Sequence, residues 1–131
     1  MDAIIKTLKE NLGEVWTPQV EDSWQTFLDF ITKEMISDNY ENSTNLSRKS
    51  IKGIQDTWAI AKTLGYFTVG DAVFTNMFEA KPELIELFPF KVYEEPRISK
   101  MYIRHVTLVA ETLGTAVDML NDAEALRPIL I

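Results

Sequence analysis

The chain has 131 residues, which suits a single domain, and its 46% hydrophobic content with seven phenylalanines predicts a folded core. A net charge of −7 disfavours a nucleic-acid partner, which requires clustered lysine and arginine, and the absence of cysteine excludes disulfides and thiolate metal sites. No run of about 18 apolar residues is present, so no membrane span or membrane partner is expected. The N-terminus lacks the apolar core of a secretion signal, and we therefore expect a cytoplasmic protein.

The first part of the chain predicts two helices joined by a short turn. Apolar residues recur at helical spacing from Asp2 to about Gly13. Thr17 is a good N-cap and Pro18 suits a first helical position, so a second helix is expected to start there and to continue to about Met35. The polar segment 37–50 that follows predicts a linker.

The second part predicts further helices and no strand. A third helix is expected from Ile51 until Gly65 stops it, and "TVGDAVFTNMFEAK" predicts a fourth. Pro82 opens a short helix, "KVYEEP" is a predicted loop, and a sixth helix starts near Ile98 with Met101 on its apolar side. "NDAEALRPILI" predicts a seventh helix, so the expected class is all-α.

The segment 51–131 resembles the first half of a globin. Trp58 in "IQDTWAIA" stands where the family often has the tryptophan of its first helix. In "MFEAKPELIELFPF", Pro82 resembles the helix-starting proline, and Phe88 falls where the family stacks a phenylalanine on haem. "RHVTLVAETLGTAVDMLND" looks like the distal helix of neuroglobin- and cytoglobin-like chains, with His105 at the distal-histidine position and Val109 one turn on.

The segment from Met1 to about Asn39 resembles the last two helices of a globin, especially of the bacterial and neuroglobin-like kinds, through "LKENLGEVWTPQVEDSWQTFLDFITKEM". The order of the two parts is therefore reversed, as in a circular permutation. We expect one domain over residues 1–131, built from a final helix pair (1–36), a linker (37–50), and the first helices through the distal helix (51–131). The family's proximal helix and its iron-binding histidine are missing, and His105 is the only histidine.

This resemblance implies a haem b protein that binds oxygen or another diatomic gas at iron. In that arrangement Phe88 fixes the haem plane, and His105 either donates to the bound gas or ligates the iron. Phe74 sits at the second-helix position that faces the distal pocket. The implied cofactor-binding residues are Phe74, Phe88, Phe90, His105, Leu108 and Val109, and the implied metal ligand is His105. Phe74 and Val109 would set the pocket size, and Phe90 and Leu108 would line its edge.

Other interpretations remain open at this point. The phenylalanines could simply fill a helical core, because aromatic stripes usually do. His105 could have no metal role. Met35, Met77, Met101 and Tyr102 are chemically possible as a second iron ligand, but nothing in the sequence marks any of them. The chain could be a haem-free globin-fold module for association or sensing, or a segment of a tandem globin completed by chain exchange into a homodimer. No catalytic constellation stands out, so we do not expect an enzyme, and any redox or nitric-oxide chemistry would belong to the iron.

Overall fold

The computed structural model describes residues 2–36 and 47–120, and all the regular structure in these residues is helical. The all-α prediction is confirmed for this part of the chain. The predicted seventh helix and most of the predicted linker lie outside the described residues. The α-helices are α1 (Asp2–Leu12), α2 (Pro18–Ile36), α3 (Arg48–Ala61), α4 (Tyr66–Ala80) and α5 (Lys100–Asp118). Short 3₁₀ helices span Gly13–Val15, Lys62–Leu64, Pro82–Leu87, Pro89–Val92 and Pro96–Ile98.

Side-chain caps fix where two of the helices begin. The Thr17 hydroxyl accepts a hydrogen bond from the Val20 amide at 3.2 Å, as its position before Pro18 predicts. Ser47 caps α3 in the same way, since its hydroxyl accepts from the Ser50 amide at 3.1 Å. Helix α3 therefore begins three residues before the predicted third helix, inside the segment that the composition predicts to be linker.

Three prolines divide the connection between α4 and α5 into short turns. Pro82, Pro89 and Pro96 each start a 3₁₀ helix. The residue before a proline is driven away from α-helical geometry, and Phe88 accordingly has φ −114° and ψ 141°. A continuous α-helix cannot form here. The predicted "KVYEEP" loop is thus partly 3₁₀-helical, and the predicted short helix at Pro82 is 3₁₀ rather than α.

The segments 2–36 and 47–120 share one hydrophobic core. Trp24 of α2 and Trp58 of α3 are both buried, with their ring centroids 6.2 Å apart. The indole nitrogen of Trp24 donates a 2.8 Å hydrogen bond to the buried Thr57 hydroxyl. On the other side α1 packs against α4, where the Asn76 side chain donates to the Thr7 hydroxyl at 2.8 Å. The first helix pair is therefore integrated with the rest of the fold.

Helices α4 and α5 cross in unusually close contact at Gly70. A Cβ atom built on Gly70 would lie 2.1 Å from the backbone carbonyl oxygen of Val106. Only glycine lets two helix backbones approach this closely. The crossing holds α4 and α5 side by side, and this places the aromatic residues of α4 against those of α5.

Candidate functional site

A cluster of aromatic side chains lies between α4, the proline-rich connection and α5. Phe74 and Phe90 are buried, and Phe88 is half-buried against them. The Phe74 and Phe88 rings meet edge to face at 5.6 Å, whereas Phe88 and Phe90 stack at 5.1 Å with 12° between their planes. These three rings form an apolar wall, which we call the phenylalanine wall.

His105 of α5 is half-buried and rests against the phenylalanine wall. The imidazole centroid lies 5.4 Å from that of Phe74, 5.5 Å from that of Phe88 and 6.1 Å from that of Phe90. Four of the six predicted cofactor-binding residues are thus in mutual contact. The approach to Phe74 is nearly perpendicular, at 89°, which is the edge-to-face geometry that aromatic rings prefer.

The remaining two predicted residues lie on different sides of α5. Val109 is half-buried and packs against the aromatic cluster, one turn beyond His105. Leu108 is 58% exposed. Successive residues of a helix point about 100° apart, and here Val109 faces the aromatic cluster while Leu108 faces outward. Leu108 therefore belongs to the open side of α5.

Met101, His105 and Leu108 form a stripe along this open side, which we call the α5 stripe. Their spacing of four and then three residues places them on one helical face. Met101 is 42% exposed, whereas its neighbour Tyr102 is fully buried. The prediction that Met101 lies on the buried side of this helix is therefore wrong. The stripe and the phenylalanine wall meet at His105, so the imidazole has one protected and one accessible side.

A polar clamp beside the aromatic cluster links α4 to α5. The Tyr102 hydroxyl donates to the Asp71 carboxylate, and Arg97 donates to the same Asp71 oxygen at 3.2 Å. The Arg97 guanidinium also lies 5.9 Å from the centroid of the Tyr102 ring, a cation–π contact. Burial, followed by the hydrogen bond to Asp71, raises the pKa of Tyr102 to about 12.

The clamp was not predicted from the sequence, because its members are far apart along the chain. Asp71 and Tyr102 are separated by 31 residues, and no local pattern marks the pair. The clamp also bears on the choice of an iron ligand. Since the Tyr102 hydroxyl binds Asp71, it is not free to act as a second donor beside His105. Of the other candidates, Met77 is half-buried against the aromatic cluster and Met101 is exposed on the α5 stripe.

The described residues also contain a groove of about 520 Å³ between α2 and α3, away from the aromatic cluster. Most of the residues that line it have polar side chains, including Thr17, Ser23, Thr26, Lys49, Lys52 and Asp56. None of the predicted site residues borders it. Ligand pockets are usually apolar with few polar groups, so the phenylalanine wall matches that chemistry better than this groove does.

The residue types around His105 are ones that could hold a haem. An imidazole nitrogen is a common ligand of haem iron, and aromatic rings can pack against an apolar macrocycle. The chain contains one histidine, so a second imidazole for the opposite face is not available from the same copy. Within residues 2–36 and 47–120, no group of three or more His, Asp or Glu side chains is placed to hold a metal ion.

Comparison with known protein families, with curated proteins and with solved structures gives no match for this chain. None of the helices in the described ranges is both long enough and apolar enough to cross a bilayer. In the described residues, the structure establishes an all-helical fold with an aromatic cluster at the α4–α5 crossing.

Proposed function

We propose that this chain is a globin-like protein, with its helices in permuted order, that binds haem b and through it a diatomic gas such as oxygen. The observation that supports this function is the position of His105, the sole imidazole, half-buried against the phenylalanine wall and accessible from the α5 stripe. When bound, the haem iron would supply the reversible binding of the gas.

In this proposal His105 would supply the nitrogen that holds the iron. If His105 only donated to the bound gas, another protein ligand would have to hold the iron, and the chain has no second imidazole to provide it. Phe74, Phe88 and Phe90, with ring centroids 5.4–6.1 Å from that of the imidazole, restrict its rotation. A ring held in one orientation loses less freedom when it binds a metal than a mobile surface histidine does.

The apolar residues around His105 have a separate role, which is to bury part of the macrocycle. Phe88 is half-buried, while Leu108 and Met101 are substantially exposed, so all three retain surface for a flat apolar ligand. Burial of apolar surface contributes about 25 cal/mol per Å². The phenylalanine wall would also exclude water from the side of the imidazole that it contacts.

A haem titration tests the proposal directly. The purified chain is titrated with haemin, and the Soret absorption is followed to saturation. We expect a saturable, red-shifted Soret band with one haem per chain. His105→Leu replaces the imidazole with an apolar side chain of similar bulk that has no nitrogen, and it should abolish the red shift of the Soret band. The matched control is Ile60→Ala, because Ile60 is an exposed apolar residue (44%) on α3, a different helix from the site.

Two results would contradict the proposal. One is a wild-type spectrum that stays that of free haemin at all protein concentrations. The other is an unchanged spectrum in His105→Leu, which would mean that haemin adheres to apolar surface without using the imidazole.

A haem-free globin-fold module for association or sensing is the second candidate. The observation that favours it is that the phenylalanine rings already contact one another and His105 at 5.1–6.1 Å, as in a core that is complete without a cofactor. For such a module, haemin should leave the urea unfolding midpoint unchanged. A haem-binding chain should instead be stabilised by haemin, because the ligand binds the folded state.

A further inference from the structure

The three most exposed large apolar side chains in the described residues all lie in the proline-rich connection between α4 and α5. Leu87, Val92 and Ile98 have 75%, 76% and 69% of their surface exposed. Single exposed apolar residues are normal on a protein surface, whereas neighbouring ones mark interaction sites. The connection is therefore a candidate interaction surface.

Ile98 borders a groove on the surface of this connection. The groove has a volume of about 480 Å³ and is lined by Tyr93, Glu94, Glu95, Ile98 and Ser99, which together we call the connection groove. Tyr93 is 46% exposed, so an aromatic and a branched apolar side chain are both accessible here. None of the five residues belongs to the aromatic cluster around the imidazole, so the groove is separate from the proposed haem site.

The carboxylates of Glu94 and Glu95 give the connection groove a negative charge. Both residues are exposed, and in the described part of the chain neither carboxylate pairs with a lysine or an arginine. Arg97, which is close to them along the chain, is already paired with Asp71 at 3.2 Å. The groove therefore combines accessible apolar side chains with two carboxylates that have no cation beside them.

Hydrogen bonds already order the backbone at this groove. The Ile98 amide donates to the Glu95 carbonyl at 3.2 Å, and the Ser99 amide donates to the Pro96 carbonyl at 3.2 Å. The Arg97 side chain ties the same turn to α4. A surface that is held in one conformation loses less entropy when a ligand binds than a mobile one does.

We infer that the connection groove binds a basic amphipathic segment of another protein. An apolar side chain of that segment packs on Tyr93 and Ile98. Its lysine or arginine side chains pair with Glu94 and Glu95. Such a segment gains electrostatic complementarity and apolar burial at the same place. The inference does not depend on haem, because the groove and the aromatic cluster share no residue.

Charge distinguishes this occupant from the alternatives. A nucleic acid or an anionic membrane surface would bring negative charge to a negative groove. A second copy of the chain carries a net charge of −7, and a two-fold dimer through this groove would place Glu94 and Glu95 opposite the same residues of the other copy. Like charges across an interface disfavour binding, so a basic segment is the occupant that the groove fits.

Fluorescence anisotropy with two synthetic peptides tests the inference on the purified chain without haemin. The first probe is a labelled peptide with leucine at helical spacing and lysine at the remaining positions. The second probe replaces every lysine by glutamate and keeps the leucines. We expect saturable binding of the leucine–lysine peptide, with one peptide per chain, and no binding of the leucine–glutamate peptide.

Variants of the chain locate the binding site. Ile98→Ser removes an apolar contact, and the double change Glu94→Gln with Glu95→Gln removes both charges. Each should weaken binding of the leucine–lysine peptide about tenfold. The matched control is Glu14→Gln with Val15→Ser, because Val15 is 46% exposed beside a carboxylate on a different 3₁₀ helix. This control should bind within about twofold of the wild type.

Several results would overturn the inference. The wild type could fail to bind the leucine–lysine peptide saturably, or the control could weaken as much as the groove variants, which would mean that the overall charge attracts the peptide. If Ile98→Ser does not fold, as judged by circular dichroism, the double glutamine variant decides, because both of its changes are on exposed side chains.

Two further measurements examine the other occupants. Light scattering of the wild type without peptide should show no dimer that Ile98→Ser dissociates, since such a dimer would make a second copy the occupant. Co-sedimentation with phosphatidylserine vesicles should not depend on Ile98, since a loss of vesicle binding in Ile98→Ser would make a membrane the occupant. Either of these results would overturn the inference.

Discussion

The α4–α5 crossing is most sensitive at Gly70, where we predict that Gly70→Ala destabilises the fold. The new Cβ atom would lie 2.1 Å from the Val106 carbonyl oxygen and 2.6 Å from its carbon. Real Cβ contacts are essentially never shorter than 3.0 Å, so the two backbones must separate by about 0.9 Å. The obstacle is backbone, which cannot rotate away as a side chain can.

The expected change in the free energy of unfolding of Gly70→Ala follows from two opposing effects. Overpacking of this kind destabilises by about 1–3 kcal/mol, and a backbone obstacle favours the upper end. Replacing glycine by alanine inside a helix stabilises by about 1 kcal/mol. The net expected loss is therefore about 2 kcal/mol in the free energy of unfolding, by these combined values. Urea denaturation measures it as a decrease of about 1 M in the midpoint, for a typical slope.

Gly53→Ala is the matched control, because Gly53 also lies inside a helix. The nearest atom to its added Cβ is a methyl carbon of Val20 at 3.9 Å, an ordinary van der Waals contact. This variant should gain about 0.5–1 kcal/mol. Gly114→Ala should fall between the two, since its Cβ would meet the buried Trp58 nitrogen at 3.0 Å. A Gly70→Ala midpoint equal to or above that of the wild type would refute the reasoning.

Two further predictions concern buried polar groups. Thr57→Val removes the acceptor for the buried Trp24 indole, so it should lower the free energy of unfolding by about 1–3 kcal/mol, measured by urea denaturation. Thr115→Val is the control, because Thr115 is on an exposed helical surface and its loss should change the free energy of unfolding little. Folding raises the pKa of Tyr102 from 10.0 to about 12, so its contribution to stability is complete below pH 10 and is lost as the pH rises through 12. Stability measured across this interval should decline less in Tyr102→Phe than in the wild type, and a decline that persists unchanged in Tyr102→Phe but disappears in Tyr66→Phe would contradict this assignment.

Helices with strong local signals were predicted well from the sequence. The start of α2 at Pro18 followed from Thr17, whose hydroxyl makes the expected capping bond. The start of α3 was missed because Ser47 lies in a polar segment, where one more serine carries little information. The prediction for Met101 is wrong because its neighbour Tyr102 is the buried residue. Apolar residues at neighbouring positions fit two helical phases equally well.

The aromatic cluster could be predicted only in part. The contact between His105 and Phe88 brings together residues that no local periodicity relates, and only the resemblance to globins suggested it. The exposure of Leu108 depends on what covers α5, which the sequence of that helix alone does not determine. Bonds such as Tyr102 to Asp71 arise from the close crossing at Gly70, and this crossing is itself a property of two helices together.

The reliance of α1 and α2 on later residues has a consequence for biosynthesis. The hydrogen bond between Thr7 and Asn76 spans 69 residues, so the first helices leave the ribosome well before their docking surface exists. At about 5–20 residues per second, the nascent chain waits roughly 3–14 s for that surface. During this interval Leu8 of α1, which is almost fully buried in the finished fold, remains open to chaperones and to neighbouring nascent chains.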